Sequence, residues 1–132
     1  MTETILALDV GEKKIGVARA NKIAAIAEPL VTLPNDENFE TSLQSLIREH
    51  DVSEVVVGLP RNMNGEETAQ TAYVKKFIDN LKLNVTVHFQ DETLTSVHAA
   101  DILVAKKSAY TKEDIDSLAA TIILEDYLQE KT

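Results

Sequence analysis

The chain has 132 residues, 44% of them hydrophobic, with no Cys and no Trp; this fits one domain over residues 1–132 that buries ~68% of its unfolded surface, and it excludes disulfide scaffolds, thiolate metal sites and Cys nucleophiles. Thirteen Lys and Arg against 22 Asp and Glu give a net charge of −9, spread evenly (6 against 11 in residues 1–66, 7 against 11 in 67–132), so long-range repulsion disfavours polyanions unless a local, metal-neutralised site receives them. No basic leader opens the chain and no apolar run approaches ~20 residues, so a cytoplasmic protein without membrane contact is expected.

Ile5 to Leu8 is a short apolar run ending at Asp9 and Gly11, the pattern of a buried strand followed by a turn. Lys14 to Ala18 predicts a second strand with Ile15 and Val17 on one face, and Pro29 to Leu33 a third at an edge. Phe39, Leu43, Leu46 and Ile47 recur at helical spacing up to about His50. The β-branched run Val55–Val57, closed by Gly58-Leu59-Pro60, predicts a fully buried strand. Asn64-Gly65 marks a turn, with Asn64 a candidate cap for a helix carried by Ala69, Tyr73, Phe77 and Leu81 and with Glu66 and Glu67 in its first turn. Val85 to Phe89 alternates as a strand running into Asp91-Glu92, and Leu94 to Val104 reads as a helix. Thr111 and Asp114 open a last helix, striped by Ile115, Leu118, Ala119 and Ile122 and ending near Leu128. The order β-β-β-α-β-α-β-α-α predicts an α/β, ribonuclease H-like fold: a five-stranded mixed sheet, an antiparallel β1-β2-β3 meander plus parallel strands, flanked by helices.

Three acidic positions stand out. Asp9 ends a buried strand, where ligands collect on α/β sheets, and Gly11 lets the backbone turn beside it; position alone leaves Asp9 divided between a ligand-binding carboxylate and one that bonds its own turn. Asp91 and Glu92 are neighbours on a strand, so only one of them faces the side of Asp9, and the other can cap the following helix. Asp116 shares a helix side with Ala120, Ile123 and Tyr127, which predicts partial burial. Converging carboxylates repel unless a hard cation such as Mg2+ or Mn2+ takes their oxygens. Two such ions about 4 Å apart can activate water and steady the leaving oxygen of a phosphodiester. Lys13, Lys14 and Arg61 flank strand ends near Asp9, where they could meet phosphates; with Arg19, Asn64 and Thr95 they form the expected nucleic-acid contacts. His50, His88 and His98 have no metal-ligand spacing and are expected to be structural or solvated.

Four blocks in order resemble the YqgF/RuvX family: Leu6 to Ala18, Val56 to Gly65, Asp91 to Ser96 and Ile115 to Ala120. Within them Gly11, Gly16, Gly58, Pro60 and Gly65 are expected to shape the backbone. The resemblance implies a ribonuclease H-like nuclease that matures the 5′ end of pre-16S rRNA during ribosome biogenesis. It implies a catalytic, metal-binding triad of Asp9, Glu92 and Asp116, with Asp91 as an uncertain neighbour, and Mg2+ or Mn2+ as cofactor. Expected partners are structured RNA or branched DNA and ribosomal particles, with the protein a monomer or weak homodimer. Thr93 replaces the Arg that usually follows the acidic pair, and the segment Lys106 to Tyr110 is short for the family, so a weaker grip on nucleic acid is expected. The alternatives are a Holliday junction resolvase-like DNA endonuclease or a non-catalytic ribosome-assembly factor. An actin-like ATPase half, suggested by Asp9-Val10-Gly11, would need a second domain that 132 residues cannot supply.

Overall fold

The computed structural model describes residues 4–92 and 112–131, with side chains in the last helix from Asp116 to Glu130. The elements are β1 (Thr4–Val10), β2 (Lys14–Asn21), β3 (Ala27–Pro34), α1 (Phe39–Glu49), β4 (Val52–Pro60), α2 (Ala69–Asn80), β5 (Thr86–Glu92) and α3 (Lys112–Lys131). One sheet of order β3-β2-β1-β4-β5 holds all five strands. The first three pair antiparallel, while β1, β4 and β5 run parallel because α1 and α2 return the chain over the sheet. The ribonuclease H-like expectation is met. The predicted helix Leu94–Val104, with Thr93, Thr95, His98, Lys106 and Lys107, lies outside the described residues.

Alternation along the strands builds two different layers. On one face Leu6, Leu8, Val10, Ile15, Val17, Val55, Val57 and Leu59 pack under Phe39 and Leu43 of α1 and Val74 and Ile78 of α2. On the other, Ile5, Ala7, Ala18, Ala20 and Val56 receive Ala120, Ile123, Leu124 and Tyr127 of α3. The small residues allow a close approach. A Cβ at Gly58 would come 2.3 Å from Ile123 Cδ1, and one at Gly16 only 2.0 Å from the Asp116 carbonyl oxygen.

Several boundaries differ from the sequence reading. β1 continues to Val10, so Asp9 lies within a paired strand, opposite Gly16 of β2. β2 and β3 also extend past their apolar runs, because hairpin hydrogen bonding carries on through polar residues. The cap of α2 is Thr68, not Asn64: Thr68 and Thr71 bond each other reciprocally, and Thr71, fully buried, also donates its hydroxyl to the Pro60 carbonyl. Glu66 and Glu67 therefore precede the helix. α3 runs to Lys131, beyond Leu128. Among the described residues, no helix is long and apolar enough to cross a membrane.

Candidate active site

Asp9 points to the α3 face, in register with Ile5 and Ala7. Its strand partner Gly16 has no side chain, and the first turns of α3 fill that space with the Asp116 backbone. Two carboxylates far apart in sequence thereby become neighbours. Burial, then the charge of Asp116, raises the Asp9 pKa from 3.8 to about 6. Asp9 keeps partial contact with solvent, as does Asp116.

The same parity separates Asp91 from Glu92. Gln90 is buried on the α3 face, where its amide donates to Glu130. Glu92, two residues on, shares that face with Asp9; Asp91 takes the opposite one. Arg61 ties this pair down. Its backbone N–H donates to the Glu92 carbonyl (3.0 Å), and its Nε lies 2.9 Å from Asp91 Oδ1. That Nε–H is not aligned with the carboxylate, so the contact is an ion pair rather than a hydrogen bond. The guanidinium also donates to the Gly65 carbonyl at 3.3 Å, while Asn62 Oδ1 accepts from the backbones of Asn64 and Glu66. Gly65, at φ +77°, supplies the left-handed step that this turn needs. Asn64 is exposed within it.

Lys13 and Lys14 are exposed on the turn that follows Asp9. A Cβ at Gly11 would meet the Lys14 carbonyl oxygen at 2.7 Å, so only glycine closes this turn unstrained. Arg19 is elsewhere: it lies on the α1 face, with Nε 2.7 Å from Glu28 Oε1 and Nη1 3.1 Å from His50 Nδ1. The sequence marks Tyr73 only as part of a helix stripe and gives Asn35 no role, yet Asn35 Nδ2 donates both to the Gly11 carbonyl (2.8 Å) and to the Tyr73 hydroxyl (3.0 Å).

A second carboxylate on the α3 face has the opposite environment. Glu54 accepts from Lys22 (2.8 Å) and contacts His88 Nε2 (2.9 Å), and the Lys22 hydrogen bond leads in holding its pKa below the ordinary value. Lys22 thus matches Glu54 with charge, whereas burial, and then a neighbouring acid, sets the pKa of Asp9. Such a pair of oxygen donors fits a hard divalent cation, which would relieve both the desolvation and the repulsion. Among the described residues, no group of three or more acidic or imidazole side chains is already gathered closely enough to hold a metal ion.

Residues 3–130 match the RuvX family, described as Holliday junction resolvase. A protein of Chloroflexus aggregans named "Putative pre-16S rRNA nuclease" is 47% identical, over 96% of this chain and 93% of its own length. A Sulfurihydrogenibium protein of the same name is 41% identical, over 94% and 88%. Among solved structures, T. thermophilus RuvC in complex with a Holliday junction substrate superposes with a TM-score of 0.56 at 12% identity, covering 97% of this chain and 94% of that one. The fowlpox virus Holliday junction resolvase gives 0.51 at 15% identity, covering 96% and 99%. At these identities the structural likeness is one of fold.

Proposed function

The chain belongs to the RuvX family, and from that membership we propose that residues 1–132 form a single metal-dependent nuclease domain that trims the 5′ end of pre-16S rRNA. The observation that carries this reading is the Asp9–Asp116 pair, in which burial first, and then the charge of the second acid, raises the pKa of the Asp9 carboxylate. Asp9, Asp116 and, from the same sheet face, Glu92 would hold Mg2+ or Mn2+. Bound there, divalent ions supply an activated water and stabilise the leaving oxygen. Asp91 is a partner of Arg61 in this reading, and Arg61 steadies the Glu92 backbone. Lys13 and Lys14 offset the net charge of −9 locally and meet phosphates. The names of the relatives, which specify pre-16S rRNA, support structured RNA as the substrate class. A cytoplasmic monomer or weak dimer working on ribosomal particles completes the proposal.

The test is cleavage of a precursor rRNA with Mg2+ or Mn2+, comparing the wild-type protein with Asp9→Asn. A drop of about 10³-fold or more is expected, because the variant removes a charged metal ligand. Equal activity in the two would reject the assignment. The fold shared with a junction-bound RuvC favours a second reading, resolution of branched DNA. A four-way junction in the same assay separates the two, and co-sedimentation with ribosomal particles without cleavage of either substrate would select a non-catalytic role.

A further inference from the structure

β4 ends at Pro60 and β5 at Glu92, and these two residues are partners in the parallel register. The register of β1 with β4 closes earlier, at Leu8 and Val57, so Pro60 extends past the last β1 pairing. Just beyond it, the Arg61 N–H donates to the Glu92 carbonyl at 3.0 Å. The trans peptide that supplies this N–H carries the Pro60 carbonyl on its other side, pointing away from β5. Proline has no N–H, so this carbonyl is the one main-chain polar group of Pro60 that needs a partner. Thr71, in the first turn of α2 and fully buried, donates its hydroxyl to it.

One peptide unit, Pro60–Arg61, is thus gripped from both sides. Thr71 is itself held, since its Oγ1 accepts from the Thr68 N–H at 2.8 Å and its own N–H donates to Thr68 Oγ1 at 3.4 Å. Those two bonds complete the capping box of α2. The third, to Pro60, reaches out of the helix and adds nothing to the cap. Donation to a carbonyl polarises its peptide and strengthens the N–H on the far side, here the one that holds Glu92. Full burial of Thr71 shields the arrangement from competing solvent.

We propose that Thr71 is a positioning residue for the Glu92 carboxylate: through the Pro60–Arg61 peptide it fixes the end of β5 before any metal binds. The inference rests on the nuclease reading, in which Glu92 holds the ion, and deepens it by naming what presets that ligand. A functional carboxylate must be held to within about 0.5 Å by the groups behind it, and strand ends are where a sheet opens first. Arg61 adds a second grip, since its guanidinium meets Asp91 on the opposite face while its main chain holds Glu92.

The experiment takes two readouts on the full chain: Mn2+ binding by calorimetry, and amide exchange at Arg61 by NMR on metal-free protein. Thr71→Val keeps the shape and removes the hydroxyl. It should weaken Mn2+ binding about tenfold, the scale for losing a hydrogen bond behind a metal ligand, and should accelerate exchange at Arg61. Thr71→Ser keeps the hydroxyl and should restore both. Thr68→Ala removes a cap oxygen but leaves the Thr71–Pro60 bond, so it should lower the melting temperature and keep the wild-type Mn2+ affinity. A role confined to helix capping requires Thr68→Ala and Thr71→Val to behave alike, and that result would overturn the proposal, as would wild-type Mn2+ affinity in Thr71→Val. Should Thr71→Val not fold, the wild-type protein decides: the Arg61 amide should be protected in the metal-free state, and rapid exchange there would sink the idea. Loss of Mn2+ binding in Asp9→Asn beside wild-type affinity in Thr71→Val would leave the nuclease reading standing without this inference; wild-type protein that takes up no Mn2+ would end both.

Discussion

The two faces of the sheet have the same backbone and opposite contents. The α1/α2 face is a thick layer of large aliphatic side chains, with Leu6, Leu8, Ile15, Val17, Val55 and Val57 all fully buried. The α3 face is built of Ala7, Ala18, Ala20, Gly16 and Gly58, and it carries the polar groups Asp9, Glu54, His88 and Gln90. Bulk keeps helices at a distance and stabilises by area removed from water. Smallness admits a helix backbone to within contact of the strands, and so brings Asp116 to Asp9. Stability is concentrated on one side and chemistry on the other.

The largest expected effect breaks the aliphatic face. Leu8→Ala leaves a cavity in a fully buried site and should cost about 4 kcal/mol in denaturant unfolding. Activity per folded molecule should survive, since Leu8 points away from the acidic pair; its disappearance would show that the two faces are not separable. Gly16→Ala sets a methyl against helix backbone that cannot rotate aside, and should destabilise by about 3 kcal/mol. Here Mn2+ affinity should fall as well, because α3 must shift and carry Asp116 with it.

Acidity sharpens the comparison. The folded-state pKa of Asp9 is raised from 3.8 to about 6, so the folded protein holds a proton that the unfolded chain has released. Its contribution is complete below pH 3.8 and is lost as pH climbs to about 6. Allowing for partial solvent access, metal-free protein should lose about 2 kcal/mol across that window. Asp9→Asn should flatten the window, and added Mg2+ should restore stability above pH 6. A stability profile identical in wild type and Asp9→Asn would contradict the environment assigned to Asp9. The smallest effect is Gly58→Ala, about 1 kcal/mol by thermal unfolding, because its new methyl meets only the flexible end of Ile123.

Much of the fold is legible from periodicity. Ile15 and Val17 share the aliphatic face, and Ala120, Ile123 and Tyr127 share the helix side that packs on the sheet, both as the spacing predicts. Asn64 is misleading because a turn signal next to two acids imitates a helix start; the Thr68–Thr71 reciprocal bond depends on side-chain geometry that spacing does not carry. The bonds of Asn35 to Gly11, Lys13 and Tyr73 are illegible for a similar reason, since these partners are 24, 22 and 38 residues away. Arg19 reads like any basic residue of a strand until the register places it on the α1 face beside Glu28 and His50.

By itself the sequence determined the alternation of strands and helices and the acidic positions, since apolar periodicity and residue type are local properties of the chain. Only tertiary structure decided which of Asp91 and Glu92 faces Asp9, and that Asp116 meets Asp9 at all. Those outcomes depend on strand parity in a completed sheet and on a helix seated against a glycine, with the meeting residues about a hundred positions apart.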